Sequence, residues 1–221
     1  MKRILVIAPH ADDEVLGLGG TMSKYIDNSY QVIVLVMTNA NKGNPKDYSE
    51  NLINKIRKES RSANKILGIK KLIFYDYPAL SLDSLKISEM AKTIKKNILK
   101  FKPQKVFIPN SEDIHLDHKH IHTACLVACR PTDNFKIKEL LSYETLSETE
   151  WGKNQFSPDK YEILSKKNIQ NKIRAFKKYK SQMKKKFHPR SAKGIEILSR
   201  LRGSNISVQY AEAFKIIRII N

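Results

Sequence analysis

The chain has 221 residues, enough for one domain with a full core, and its aliphatic content argues against disorder throughout. No stretch reaches the roughly 18 apolar residues of a membrane-spanning helix, and the five apolar residues that follow Arg3 are too few for a secretory signal, so we expect a cytoplasmic protein. The net charge of +19 favours anionic partners, but no zinc-finger spacing, basic zipper or RNA-recognition pattern predicts a specific nucleic-acid target.

Short apolar runs alternate with helical periodicity over the first two thirds of the chain. Strands are predicted at 2–8, 31–37, 72–75, 105–109 and 139–143, and helices at 15–26, 52–67, 84–99 and 118–129. Gly68 is expected to end the second helix, and Asp83 to cap the third. This alternation predicts an α/β fold of the Rossmann-like, doubly wound type, with a mostly parallel sheet and helices on both faces.

The pattern is less regular from about residue 144. We expect a strand at 160–164, a very basic helix at 166–186, another helix at 192–201 and a last strand at 214–220. The basic helix is either a solvated face or a rim for an anionic substrate. Because no internal repeat or low-complexity linker divides the chain, we predict a single domain over residues 1–221.

Two polar clusters each follow the end of a predicted strand. Pro9 closes the first strand and is followed by His10, Asp12, Asp13 and Glu14, and a second cluster rich in His and Asp occupies residues 110–122. The carboxyl ends of parallel strands open into one crevice, so the clusters should meet there. Together they predict a divalent-metal site.

The spacing leaves the ligand set open. Two imidazoles and one carboxylate suit Zn²⁺ with an open position for water. In the second cluster, His115, His118, His120 and His122 are all candidates. The same donors serve non-haem Fe(II) oxygenases, but those enzymes usually adopt all-β jelly rolls, which the alternating pattern argues against.

Two motifs resemble those of the LmbE-like (PIG-L) family of metal-dependent N-deacetylases. They are Pro9-His10-Ala11-Asp12-Asp13-Glu14, with Ala11 where the family usually has proline, and His115-Leu116-Asp117-His118. Further similar stretches include Arg57, Tyr179-Lys180-Ser181-Gln182 and Tyr210-Ala211-Glu212-Ala213-Phe214. The resemblance therefore covers most of the chain.

The resemblance implies a role for each matching residue. His10, Asp13 and His118 would hold the metal, and Asp12 would be the general base. A protonated His115 would stabilise the oxyanion, oriented and kept charged by Asp117, and Arg57 would bind substrate. Glu14 is more simply explained as an acidic residue of a first helical turn, and His120 and His122 as surface residues of their helix.

The implied activity is zinc-dependent removal of the N-acetyl group from an N-acetylated amino sugar of the GlcNAc type or its conjugate, with Fe²⁺ or another divalent ion as an alternative to zinc. A nucleotide- or lipid-linked carrier would make the substrate anionic, and a homo-oligomer is left open. Two other functions also remain open. One is a basic nucleic-acid-binding protein with a structural metal, and the other is a hydrolase of a different amide on the same fold.

Overall fold

The computed structural model of the protein describes residues 2–132, 134–185 and 187–220. Its strands are β1 (Arg3–Ala8), β2 (Gln31–Asn39), β3 (Lys71–Pro78), β4 (Lys105–Pro109), β5 (Glu139–Tyr143), β6 (Lys160–Ile163) and β7 (Ala211–Ile219). Its helices are α1 (Asp13–Asp27), α2 (Ala40–Gly43), α3 (Glu50–Ile66), α4 (Ile87–Phe101), α5 (Leu116–Ala128), α6 (Lys166–Phe176) and α7 (Ala192–Ser204), with one 3₁₀ turn at Leu82–Ser84.

The strands form one sheet in the order β3-β2-β1-β4-β5-β7-β6. The first five strands run parallel, and β7 is antiparallel to both of its neighbours, so the predicted mostly parallel α/β sheet is confirmed. Because β1 pairs with β2 on one side and β4 on the other, the direction of strand addition reverses between β1 and β4. A crevice is expected at that reversal, beyond the carboxyl ends of these strands.

Apolar cores lie on both faces of the sheet. On β1, Ile4 and Val6 belong to a core that includes residues of α1, α3 and α6, whereas Leu5 and Ile7 belong to a core that includes residues of α4 and α5. The alternation of side chains along a strand explains the division. Burial on both faces explains why the strands read as continuous apolar runs.

Local signals set several helix ends. Ser49 caps α3 by accepting a hydrogen bond from the backbone N–H of Leu52, and Ser165 caps α6 in a capping box with Asn168. Gly68 follows the end of α3 with φ +80°, a conformation that favours glycine, as the sequence predicted. The expectation for Asp83 is wrong, since it lies in the 3₁₀ turn and α4 starts only at Ile87.

Helix α1 is kinked at Leu18, whose φ of −142° and ψ of 27° are not helical. The backbone N–H groups of Gly20 and Thr21 donate to the carboxylate of Glu212 on β7, at 3.0 and 2.6 Å. That carboxylate also accepts from the buried Lys172 of α6 at 2.6 Å. These hydrogen bonds, which lie just after the kink, connect α1 to the C-terminal part of the chain.

The predicted basic helix at 166–186 is too long, because α6 ends at Phe176. Beyond it, Tyr179 is fully buried and donates its hydroxyl to Glu14, and Ser181 donates its hydroxyl to Glu59 at 2.6 Å. These tertiary hydrogen bonds draw the chain inward, which local helix propensity cannot predict. In the described ranges, no helix is long and apolar enough to cross a membrane.

Candidate metal centre

The first half of the site is the loop between β1 and α1. Asp12 has φ +132° and ψ −25°, an unusual backbone conformation for a residue other than glycine. It is held by a hydrogen bond of 3.0 Å from its own N–H to Glu14, whose carboxylate is fully buried and also accepts from Asn64 and Tyr179 at 2.8 and 2.5 Å. Glu14 is thus a buried anchor of this loop, a role that its position in a first helical turn does not reveal.

The second half lies between β4 and α5. His115 caps α5, since its Nδ1 accepts a hydrogen bond of 3.1 Å from the backbone N–H of Asp117. His118 follows on the first turn of α5 and is fully buried. The start of this helix therefore presents both imidazoles at the carboxyl end of β4.

The two halves meet, as their positions after β1 and β4 predict. The ring centroids of His10 and His118 are 5.3 Å apart. Asp13 lies between the two rings, with Oδ2 at 3.2 Å from both the Nδ1 of His10 and the Nε2 of His118. One ligand atom from each of the three residues lies within 4.8 Å of the others. The geometry allows them to share one ion.

Two buried atoms of this trio suit a cation. The Nε2 of His118 and the Oδ1 of Asp13 have no hydrogen-bond partner among the described residues. The other nitrogen of each ring faces a carboxylate, since the Nδ1 of His118 is 2.7 Å from Asp113 and the Nε2 of His10 is 3.0 Å from Asp117. Histidines that bind metals usually donate their second N–H to such a group, so the donor set fits a divalent ion.

A second set of candidate metal ligands shares His10 with the first set. Ligand atoms of His10, His115 and Asp117 also lie within 4.8 Å of one another. However, the Oδ2 of Asp117 already contacts the Nε2 of His10 and accepts a hydrogen bond of 2.9 Å from the backbone N–H of Leu80. The set that contains Asp13 and His118 is favoured because it alone includes the two buried atoms that lack a hydrogen-bond partner among the described residues.

The charges of the trio are strongly coupled. Burial lowers the pKa of His10, but hydrogen bonds to Asp117 and Asp13 outweigh it and raise that pKa to about 9. Burial also opposes the charged form of His118, yet Asp13 and Asp113 raise its pKa to about 10. The pKa of Asp13 is held well below its usual range, against burial, mainly by the charge of His118. Without a metal, two imidazolium ions therefore surround the carboxylate at neutral pH.

The carboxylate of Asp12 contacts a residue that the sequence did not single out. Burial raises the pKa of Asp12 to about 8, and the guanidinium of Arg190, 3.4 Å from its carboxylate, is the strongest opposing influence. Arg190 also contacts Glu148 at 3.1 Å. Arg190 lies 178 positions from Asp12, so no local pattern could have revealed the contact.

The resemblance implies that Asp117 orients His115, and the structure joins these two residues through the backbone of Asp117. The carboxylate of Asp117 contacts the Nε2 of His10 and not the ring of His115, to which Asp117 gives only its backbone N–H. Burial, followed by the charges of His10 and His118, lowers the pKa of His115 to about 4. Without a metal, these influences oppose the protonated form of His115 that the resemblance implies, and an accepting Nδ1 places the proton of the neutral ring on Nε2.

A cavity of about 280 Å³ opens beside these residues, lined among others by His10, Asp12, His115, Arg57, Tyr48 and Gln182. Arg57 does face the cavity, but its guanidinium also donates to Asp76 at 2.6 Å and lies 5.1 Å from the ring centroid of Phe74.

His122 was expected on the surface and is in fact buried, with Nδ1 2.8 Å from the carbonyl oxygen of Pro109. His120 is partly exposed, and neither residue belongs to the cluster of candidate ligands.

Known proteins are similar to this chain in sequence and in fold. The model of the family described as "PIG-L: GlcNAc-PI de-N-acetylase" matches residues 5–129. An uncharacterised deacetylase of Escherichia coli (strain K12) is 30% identical over 81% of this chain and 91% of its own length. A diacetylchitobiose deacetylase of Thermococcus kodakarensis is 33% identical over 54% of this chain and 46% of its own length. The crystal structure of a conserved protein from Thermus thermophilus superposes with a TM-score of 0.82 at 24% identity, covering 100% of this chain and 97% of that protein.

Proposed function

Because the chain belongs to the PIG-L family, described as GlcNAc-PI de-N-acetylases, we propose that it is a metal-dependent hydrolase that removes the acetyl group from an N-acetylated amino sugar or its conjugate. The observation that carries the proposal is the trio of His10, Asp13 and His118, the last two of them buried, beside a cavity lined by Asp12 and His115. A trio of protein ligands next to a cavity is typical of catalytic sites, whereas structural zinc is normally closed by four. This argues against a nucleic-acid-binding protein with a structural metal.

His10, Asp13 and His118 would hold the ion, with Asp117 and Asp113 orienting the two imidazoles. Two nitrogens and one carboxylate oxygen suit Zn²⁺, and Fe²⁺ accepts the same donors. When bound, such an ion polarises a carbonyl group and makes water more acidic. Asp117 thus supports the site through His10, a different contact from the one that the sequence suggested.

Asp12 would act as general base. Its carboxylate is buried at the cavity and takes a proton from the attacking water. Its pKa of about 8 is too high for a carboxylate that must be ionised at neutral pH. A cation held by the neighbouring Asp13 would lower that pKa and make Asp12 a competent base.

His115 would stabilise the negative charge that develops on the amide oxygen. It lines the cavity, and its Nδ1 is an acceptor, so the neutral ring carries its proton on Nε2. A fixed N–H donor of this kind is worth the most where charge develops in a dry site. We therefore propose a neutral hydrogen-bond donor in place of the imidazolium that the resemblance implies.

The substrate class is proposed from the relatives and the walls of the cavity. The Thermococcus kodakarensis relative is a diacetylchitobiose deacetylase by name. Tyr48, Asn39, Gln182 and Arg57 provide polar groups for a sugar, and Arg57 could also contact an anionic carrier. The cytoplasmic location expected from the sequence stays a prediction, and the anionic carrier and the homo-oligomer stay open.

The test is release of acetate from a panel of N-acetylglucosamine conjugates by zinc-loaded protein. Asp12→Asn should lower kcat by about 10²- to 10⁴-fold, because it removes a general base, with metal content unchanged. Asparagine keeps the size of the side chain and tolerates a positive φ better than most residues. Activity that survives Asp12→Asn would refute the assignment of the base, and a panel from which wild type releases no acetate would refute the proposed reaction.

A further inference from the structure

Arg190 lies in the segment between α6 and α7, on a backbone that is itself fixed. Its N–H donates to the Nδ1 of His188 at 3.1 Å, and its carbonyl oxygen accepts from the N–H of Lys184 at 2.9 Å. The side chain is 17% exposed. The guanidinium therefore reaches the catalytic cavity from a defined starting point.

Three nitrogens of this guanidinium face three different acceptors. Nε donates to the hydroxyl of Ser147 at 2.6 Å, Nη2 to Glu148 at 3.1 Å, and Nη1 lies 3.4 Å from the Oδ2 of Asp12. The first two contacts are the shorter ones, so they hold the group in place and the third presents it to Asp12. Three of the five N–H groups of the guanidinium are thus directed at protein acceptors, although the side chain borders the cavity.

The loop after β5, whose Ser147 and Glu148 accept hydrogen bonds from the Arg190 side chain, is also constrained. Ser147 has φ +69°, a left-handed conformation that is uncommon for serine, and its N–H donates to Glu150 at 2.7 Å. In the same loop, Thr149 donates its hydroxyl at 2.6 Å to Asp113, the carboxylate behind His118. One loop after β5 thus supports both the proposed base and a proposed ligand, and strain of this kind is common at functional sites.

We propose that Arg190 is a positioning residue that fixes the orientation of the Asp12 carboxylate for proton transfer. This inference rests on the proposed function, in which Asp12 is the base. A buried carboxylate with one fixed cationic neighbour loses rotational freedom, and small losses of alignment cost large factors in rate. Arg190 therefore acts on the chemical step and not on substrate binding.

The test compares Arg190→Met and Arg190→Lys with wild type in zinc-loaded enzyme, by kcat, KM and metal content on an N-acetylglucosamine conjugate. Arg190→Met should lower kcat at least 30-fold, roughly the effect of a misplaced catalytic group, with KM within about threefold and metal content unchanged. Arg190→Lys should recover part of kcat because it restores the charge. An increase in KM at constant kcat would overturn the proposal and make Arg190 a substrate ligand.

The matched control is Arg202, another largely buried arginine, which pairs with Glu144 and does not line the catalytic cavity. Arg202→Met should lower the unfolding temperature and leave kcat unchanged. If it lowers kcat as much as Arg190→Met does, the effect is a general loss of stability and the proposal is wrong.

A second readout needs no activity. A double-mutant cycle of Arg190→Met and Asp12→Asn, followed by chemical unfolding of the metal-free protein at a pH above the Asp12 pKa of about 8, should show that the two effects are not additive. Additive effects would contradict the contact on which the proposal depends. If wild type releases no acetate, the proposed function fails while this cycle still decides whether Arg190 fixes Asp12.

Discussion

Each candidate imidazole ligand is backed by its own carboxylate. Asp113 stands behind His118 at 2.7 Å, and Asp117 stands behind His10 at 3.0 Å. Asp113 is in turn held by Thr149 at 2.6 Å and Asn110 at 3.2 Å. Such a carboxylate fixes the orientation of the ring and raises its basicity as a ligand. This explains why aspartates accompany the histidines in the second cluster.

Asp113→Asn should weaken zinc binding by about 10- to 100-fold, because the amide oxygen can still accept from the Nδ1–H of His118 but lacks the negative charge that raises the basicity of the ring. The measurement is a competition titration against a chromophoric chelator. Asp76→Asn is the control, since Asp76 pairs with Arg57 and lies outside the trio. Equal affinity in Asp113→Asn and wild type would show that His118 is not a ligand.

At the level of elements, the features that depend on residues close together in the sequence were predicted correctly. The polar clusters follow β1 and β4 directly, so their convergence follows from the sheet alone. Arg190, Tyr179 and Glu212 were not predicted in their roles, because each acts on a residue more than 150 positions away. Burial of Tyr179 also shortened the predicted basic helix. Contacts of that range leave no periodicity in a single sequence.

The kink in α1 leads to a prediction about β7. Glu212 is 5% exposed and its carboxylate pairs with Lys172, which is 3% exposed. Glu212→Gln should lower the free energy of unfolding by about 3–5 kcal/mol, because it leaves a buried ammonium group without its counter-ion. The double variant Glu212→Gln with Lys172→Met should lose less than the sum of the two single variants.

Chemical unfolding of the metal-free protein measures these changes. Lys167→Met is the control, because Lys167 forms an exposed pair with Asp27, and its loss should cost less than about 1 kcal/mol. A Glu212→Gln variant as stable as the control would show that the buried pair does not hold α1 to β7.

At the scale of the molecule, one sheet gathers residues from the whole chain around the site. The parallel strands bring together His10 and His118, and β7 holds helix α1 through Glu212, whose carboxylate pairs with Lys172 of α6. The alternating pattern predicted the parallel half. The supports from the C-terminal part depend on packing between distant segments, which explains why that part was predicted least well.

Calorimetric titration of zinc into the metal-free protein, in buffers of different ionisation enthalpy, tests the metal centre most directly. We predict one ion per chain, with release of protons at pH 7, because His10 and His118 have pKa values of about 9 and 10 and must be neutral to bind. The affinity for zinc should therefore rise with pH until the pH exceeds the pKa values of both histidines. Asp13→Asn should abolish tight binding, whereas His115→Gln should retain it. Unchanged binding in Asp13→Asn, or loss of binding in His115→Gln alone, would contradict the account.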